Sequence, residues 1–107
     1  MSEKYLVTTD EAYETLSKYL GEEIRYACMP GCCFTIDDVT LLRVTIKGFN
    51  ICLMVRNTIS KYFVEFEPVN DSQMIDSSPA KVGFLAGGEF ICCPAKGYRI
   101  YNKPDPE

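Results

Sequence analysis

The chain has 107 residues, of which 47% are hydrophobic and 24% are charged, and it includes seven tyrosines and six phenylalanines. This balance excludes intrinsic disorder, because it supplies enough apolar surface to offset the conformational entropy lost on folding. The length predicts one small globular domain over residues 1–107. No apolar run reaches the roughly 18 residues that span a bilayer, and the first residues lack the basic and then apolar pattern of a secretory leader. The sequence therefore predicts a cytoplasmic protein with no membrane contact.

The charged residues predict a protein partner and no direct binding to nucleic acid. Eleven Lys and Arg residues against fifteen Asp and Glu residues give a net charge of −4. Nucleic-acid binding relies on clustered cations that neutralise phosphates, and no short segment of this sequence holds three cations. An acidic surface is instead suited to a basic protein partner, because it speeds their encounter.

The first predicted element is an amphipathic helix near the N-terminus. Thr8 and Glu11 have the spacing of a capping box, and Thr9 and Asp10 are further capping candidates. Gly21 stands where a residue in the left-handed conformation would end the helix. The apolar side chains between these signals fall within an arc of about 120° and are predicted to face a sheet. They are Ala12, Tyr13, Leu16, Tyr19 and Leu20.

Most of the remaining chain alternates between apolar and polar residues, as β-strands do. Three such runs, at residues 39–47, 49–56 and 59–67, are separated by very short turns and predict an antiparallel meander. Shorter strands are predicted at residues 24–28 and 98–101. The fold class predicted is α+β, with one N-terminal amphipathic helix packed on a mostly antiparallel sheet of about five to seven short strands.

Gly87-Gly88 predicts a hairpin between strands at residues 82–86 and 89–93, because two glycines accept the positive φ angles of a type I′ turn. Turn-forming residues fill the segment 68–81, which is predicted to be a long loop. The prolines near the C-terminus predict a frayed tail over residues 102–107.

The sequence contains no histidine, which excludes nucleophilic catalysis by a Ser–His or Cys–His pair. The adjacent acid pairs fall in predicted turns, where helix capping and solvation account for them. No glycine-rich segment leads into a helix that carries Lys and Ser or Thr, as phosphate-binding loops require. We therefore expect a protein that is not an enzyme and needs no cofactor.

The six cysteines leave one alternative open. Cys28, Cys32 and Cys33 surround a Pro-Gly turn, and Cys92 and Cys93 end a predicted strand. Brought together, the two groups would offer thiolates to a structural zinc ion, although their spacing differs from the paired C-x2-C of a zinc ribbon. Neighbouring residues of a strand also point to opposite faces. Reduced thiols are therefore the preferred interpretation, and a zinc-stabilised structural or regulatory module is the alternative.

Together these features predict a non-enzymatic binding protein that inhibits or occludes a protein partner. It would be of the immunity or anti-defence type, such as an inhibitor of a nucleic-acid-binding system encoded by a phage or another mobile element. Tyrosine is enriched at binding interfaces, and one helix leaves much of the predicted sheet uncovered, so self-association is also expected. A third hypothesis is an oligomer that sequesters a small anionic ligand through Arg43, Arg56, Lys61 or Arg99. The acids predicted to contact a protein partner are Glu22, Glu23, Asp37, Asp38, Asp71 and Asp76.

Overall fold

The computed structural model describes residues 3–29, 35–70 and 77–102. Two of the strands in these segments have thirteen residues each, which is about twice the usual length of a strand. Their length lets each of them pair with different neighbours at its two ends. In chain order the elements are β1 (Glu3–Tyr5), α1 (Thr9–Ser17), β2 (Glu23–Met29), β3 (Thr35–Lys47), β4 (Asn50–Arg56), β5 (Lys61–Pro68), β6 (Ala80–Ala86) and β7 (Glu89–Tyr101).

Six of these strands form a closed antiparallel barrel in the order β2-β3-β4-β5-β7-β6. The barrel closes at β6, where Phe84 lies opposite Tyr26 of β2 on one side and opposite Ile91 of β7 on the other. The long strand β3 pairs first with β2 and then with β4, and a register shift between Leu41 and Arg43 accompanies the change of partner. In the same way β7 pairs first with β6 and then with β5, while β1 joins β7 as a short parallel edge strand.

The hydrophobic core fills the inside of the barrel. Because alternate residues of a strand point to opposite sides, every strand contributes one set of apolar side chains to the interior. Phe66 and Phe84 meet there with their ring centroids 6.1 Å apart. Other large side chains that are fully buried include Leu41, Ile51, Leu53, Val64, Val82 and Ile91.

The helix α1 covers one end of the barrel. The hydroxyl of Thr8 accepts a hydrogen bond from the backbone N–H of Glu11 at 3.1 Å, which confirms Thr8 as the N-cap. α1 packs against β3, β4 and β5, and Thr9 donates to the carbonyl of Phe49 beside the β3–β4 turn at 2.7 Å. Tyr13 and Leu20, which were predicted to face a sheet, are 39% and 46% exposed. No helix within the described segments has the length and apolar character needed to cross a membrane.

The predicted α+β fold is wrong, although most of its strands are confirmed. The meander and the hairpin at Gly87-Gly88 lie where the alternation places them. The strand predicted at residues 24–28 lies within β2, and the one predicted at residues 98–101 is the last part of β7. What the prediction lacks is closure: the sheet curls until β6 meets β2, so the strands bury their inner faces against one another and need no layer of helix.

Some details of the strand prediction also differ from the structure. Residues 94–97 do not interrupt the last strand, because β7 runs through them while it changes partner from β6 to β5. The edge strand β1 has no counterpart in the prediction. The middle of the predicted loop, residues 71–76, and most of the predicted tail, residues 103–107, lie outside the described residues.

Candidate functional site

Several large apolar side chains are exposed on the outer surface of the barrel, on β1, β2, β6 and the adjoining halves of β3 and β7. In one row of paired residues Ile36 lies opposite Ala27, and Ala27 lies opposite Gly83. Paired residues of a sheet point to the same side, so this row lies on the outside with the exposed Ile36. We call this surface the apolar face. Its large side chains, each more than a third exposed, are Tyr5, Met29, Ile36, Leu85 and Phe90.

Gly83 makes the middle of the apolar face flat. A Cβ atom at this position would lie 3.4 Å from Cζ of Phe90, an ordinary van der Waals contact, so the phenyl ring lies over the backbone of Gly83. Contiguous apolar patches of this kind are typical of interaction sites, whereas isolated exposed apolar residues are ordinary. The apolar face is therefore the strongest candidate for a docking surface.

An open groove of about 710 Å³ borders the apolar face and is lined in part by Glu23, Arg25, Asp38 and Leu85. Arg25 donates two hydrogen bonds to Asp38, from Nε to Oδ1 at 2.7 Å and from Nη2 to Oδ2 at 3.2 Å. These bonds to the guanidinium lower the pKa of Asp38, which therefore stays ionised. Both side chains of this ion pair are more than half exposed, so the pair is accessible to a partner.

The structure brings together some of the acids predicted to contact a partner and separates others. Glu22, Glu23 and Asp38 are exposed, and the last two line the same groove. Asp37 is half-buried and accepts hydrogen bonds from the Tyr62 hydroxyl and from Nδ2 of Asn57. Asp71 and Asp76 lie outside the described residues.

Asp37 belongs to a network of hydrogen-bonded side chains within the barrel. Tyr62 donates to Asp37 at 2.6 Å, and the hydroxyls of Tyr26 and Tyr62 are 2.6 Å apart. Burial raises the pKa of both tyrosines, which therefore remain protonated. These hydrogen bonds satisfy polar groups that would otherwise be buried without partners. This arrangement favours a structural role for Asp37.

The described cysteines are dispersed over the barrel. Cys28 and Cys93 are buried on opposite sides of Val82, so two inter-strand spacings, about 10 Å, separate their strands. Burial raises the pKa of each of these two thiols to about 12, which disfavours the thiolate that binds zinc. Among the described residues no three metal-ligating side chains gather in one place. Cys32 and Cys33 lie outside those residues, and the zinc alternative stays a prediction.

A second outward surface combines cations with aromatic rings on β4, β5 and the adjoining halves of β3 and β7. One row across these four strands pairs Arg43 with Met54, Met54 with Phe63, and Phe63 with Tyr101. We call this surface the basic face. Its exposed cations, which include the four of the anionic-ligand hypothesis, are Arg43, Lys47, Arg56, Lys61 and Arg99.

A buried carboxylate lies among the cations of the basic face. Glu65 accepts hydrogen bonds from Nδ2 of Asn50 and from the Tyr101 hydroxyl, both at 2.7 Å. Nη2 of Arg99 lies 3.4 Å and Nζ of Lys47 lies 3.9 Å from the same carboxylate. Burial alone would raise the pKa of Glu65, but these hydrogen bonds and charges outweigh it and hold the pKa below its ordinary value.

No protein-family model matches the chain, and no curated protein or solved structure is significantly similar to it. The function is therefore inferred from the apolar face, the basic face and the groove between them. Sequence reasoning named four cations of the basic face as candidate ligands of an anion, but it did not predict the apolar face. The alternation of the strands contains a signal for that face, because Arg25, Ala27 and Met29 share the side of β2 that the core residues leave free. Glu65 has no comparable signal, because its hydrogen-bond partners come from β4 and β7.

Proposed function

We propose that this protein is a non-enzymatic, cytoplasmic binding protein that occludes the surface of a protein partner by docking through the apolar face. The observation that carries the proposal is the group of exposed apolar side chains on the strands around Gly83, which includes Ile36, Leu85 and Phe90. Burying apolar surface is favourable by about 25 cal/mol per Å². A partner that covers this face would therefore gain binding free energy without any change in the fold of the barrel.

The chemistry of the apolar face suits a protein partner. Aromatic residues and methionine are enriched at the centres of protein interfaces, and the rim of such interfaces is polar. Tyr5, Phe90 and Met29 supply the first kind of residue. The exposed Glu22 and Glu23 at the start of β2 supply an acidic border, whereas the charge of Asp38 is balanced by Arg25. The acidic border favours a basic partner through charge complementarity, which mainly raises the rate of association.

A different, basic protein fits the apolar face better than a second copy of the chain does. In a two-fold symmetric dimer the same patch meets itself, so the acidic border would face an equally acidic border. Like charges placed opposite each other at an interface oppose association. Self-association through this face is therefore the competing outcome of the test.

The test begins with affinity purification of the tagged protein from its host, followed by purification of the protein that accompanies it. Binding of the two pure proteins is then measured for the wild type and for the double variant Ile36→Thr/Leu85→Thr. We expect the double variant to bind at least tenfold more weakly. The matched control is Ile59→Thr, because Ile59 is 90% exposed in the β4–β5 turn, away from the apolar face.

Two results would overturn the proposal. The first is equal binding by the wild type and the double variant, with circular dichroism showing that both are folded. The second is sedimentation showing that the apolar-face variants abolish a homodimer while the purified partner still binds. The acidic border is tested separately with Glu22→Lys/Glu23→Lys, which should slow association and weaken its salt dependence. The same change on α1, Asp10→Lys/Glu14→Lys, should have a smaller effect.

A further inference from the structure

We infer that the basic face binds single-stranded nucleic acid. This goes beyond the proposed function, which uses the apolar face on other strands of the barrel. The cations of the basic face are spread over the sequence from Arg43 to Arg99, but the sheet gathers them on one side. Arg56 lies directly opposite Lys61, and Arg43 lies on the neighbouring strand. The distance from β3 to β7 is three inter-strand spacings, about 14 Å.

Three of these cations form no ion pair with any acid in the part of the chain that the structure describes. Of the ion pairs formed within residues 3–29, 35–70 and 77–102, none involves Arg43, Arg56 or Lys61. Lys47 and Arg99 both lie beside the carboxylate of Glu65. Counted over the described residues, this surface has more cations than acids, and an excess of positive charge is the property that attracts a phosphate backbone.

Aromatic rings stand among the cations. The rings of Phe63 and Tyr101 are stacked, with centroids 5.3 Å apart and planes 18° apart. The guanidinium carbon of Arg99 lies 4.2 Å from the centroid of the Tyr101 ring. Phe63 and Tyr101 are only partly buried, so part of this stack of flat groups meets solvent. Proteins that bind single strands use such rings and guanidinium planes to stack unpaired bases.

The combination distinguishes single-stranded nucleic acid from other anions. An acidic peptide or a lipid headgroup would be attracted by the cations but would gain little from a stack of aromatic rings. A duplex keeps its bases paired, and its grooves are entered by a protruding helix or ribbon. The basic face is instead the outer wall of a barrel, with its rings between cations on neighbouring strands.

The net charge predicts no binding to nucleic acid, but several of the acids that contribute to it lie away from the basic face. Charges separated by more than about 8 Å are largely screened at physiological ionic strength. The acids of α1, which include Asp10, Glu11 and Glu14, cover an end of the barrel and not its wall. The net charge of −4 therefore weakens binding without preventing it, and we expect a dissociation constant on the order of 10 µM at low salt.

The experiment is fluorescence anisotropy with labelled 12-nucleotide oligo-dT and oligo-rU, titrated with the full chain from 50 mM to 200 mM salt. The variant Arg43→Gln/Arg56→Gln/Lys61→Gln should bind at least tenfold more weakly. Because each phosphate contact on a single strand contributes about 0.7 to the logarithmic salt dependence, the slope should fall by about 2. The control Lys4→Gln/Lys18→Gln/Lys81→Gln removes the same charge elsewhere and should change affinity less than threefold.

A second variant tests the aromatic stack. Phe63→Leu keeps an apolar side chain but loses the ring, and it should weaken oligonucleotide binding about fivefold or more. Unfolding curves establish that each variant is folded. The inference is overturned by any of three results: no binding of the wild type at 50 mM salt, equal binding of a duplex, or displacement by polyglutamate together with no effect of Phe63→Leu. None of these results bears on the apolar face, so the proposed function is tested independently.

Discussion

Glu65 is an acid on the outer wall of the barrel whose surroundings differ from those of an ordinary surface carboxylate. It is buried, and its oxygens accept hydrogen bonds from Asn50 and Tyr101 while Arg99 and Lys47 lie nearby. Charge-assisted hydrogen bonds are stronger than those between neutral groups. Glu65 therefore holds Tyr101 and Arg99 in place within the basic face.

We expect Glu65→Gln to lower the free energy of unfolding by about 1–2 kcal/mol at pH 7, through the loss of charge-assisted hydrogen bonds. The folded protein holds the pKa of Glu65 below the ordinary 4.5. The stabilising contribution is thus complete above pH 4.5 and is lost as the pH falls through the lower pKa of the folded state. Urea unfolding measured between pH 7 and pH 3 should show that the free energies of unfolding of the wild type and the variant converge as the pH falls. A difference in the free energy of unfolding that does not change with pH would contradict this role for Glu65. The same loss and the same pH dependence in Glu67→Gln would also contradict it.

The thiols of Cys28 and Cys93 should not react in the native protein. Their pKa is raised to about 12 by burial, and the thiolate is the nucleophile. After alkylation with iodoacetamide at pH 8, peptide mass spectrometry should find both residues unmodified in the folded protein and modified in denaturant. Labelling of either residue under native conditions at the rate seen in denaturant would show that the barrel interior opens readily.

At the scale of elements, the β6–β7 hairpin shows how a local signal fixes local geometry. Gly87 and Gly88 have φ angles of +58° and +80°, as the glycine pair predicts for a type I′ turn. Tyr19, which follows α1, packs against this turn, and its hydroxyl donates to Glu89 at 3.3 Å. The turn thus joins the helical end of the barrel to the strands that close it.

The two glycines of this turn should respond differently to substitution by alanine. At Gly88 nothing lies within 4 Å of the added Cβ, so Gly88→Ala carries only the cost of a left-handed residue, about 1–2 kcal/mol. At Gly87 the Cβ would lie 2.9 Å from Cε1 of Tyr19, so Gly87→Ala should cost more. Thermal unfolding of both variants measures the difference, and Tyr19→Ala should remove the excess at Gly87. Equal losses in both variants would mean that Tyr19 does not pack on the turn.

At the scale of the whole molecule, the closing strand decides how the protein unfolds. β6 pairs with β2 and with β7, so the detachment of β6 breaks the hydrogen bonds to both neighbouring strands. The pairing of β6 with β2 joins segments that are distant in sequence, which slows folding relative to a meander alone. The barrel should therefore behave as one cooperative unit.

Val82→Ala tests this cooperativity, because Val82 is fully buried in the middle of β6. We expect a loss of about 2 kcal/mol from the lost contacts and the remaining cavity. Far-ultraviolet circular dichroism, which reports the strands, and tyrosine absorbance, which reports the interior, should shift together to the same lower midpoint. Two separate midpoints would show that β6 detaches before the meander unfolds. Ile59→Ala, at an exposed position, should leave the midpoint unchanged.

The sequence by itself determined the local elements. Alternation of apolar and polar residues located the meander, Thr8 located the start of α1, and Gly87-Gly88 located the last hairpin. These features depend on neighbours within a few residues, so a local pattern suffices to predict them. The position of Cys92 and Cys93 as neighbours in one strand also followed, because adjacent residues of a strand point to opposite sides.

Only the tertiary structure decided that the sheet closes into a barrel and which outward residues meet. An alternating strand has the same pattern whether its apolar side faces a helix or the opposite wall of a barrel. Closure depends on the pairing of β6 with β2, more than fifty residues earlier, and on the change of partner within β3 and β7. The apolar and basic faces are consequences of that register, because residues far apart in sequence become neighbours only when their strands pair.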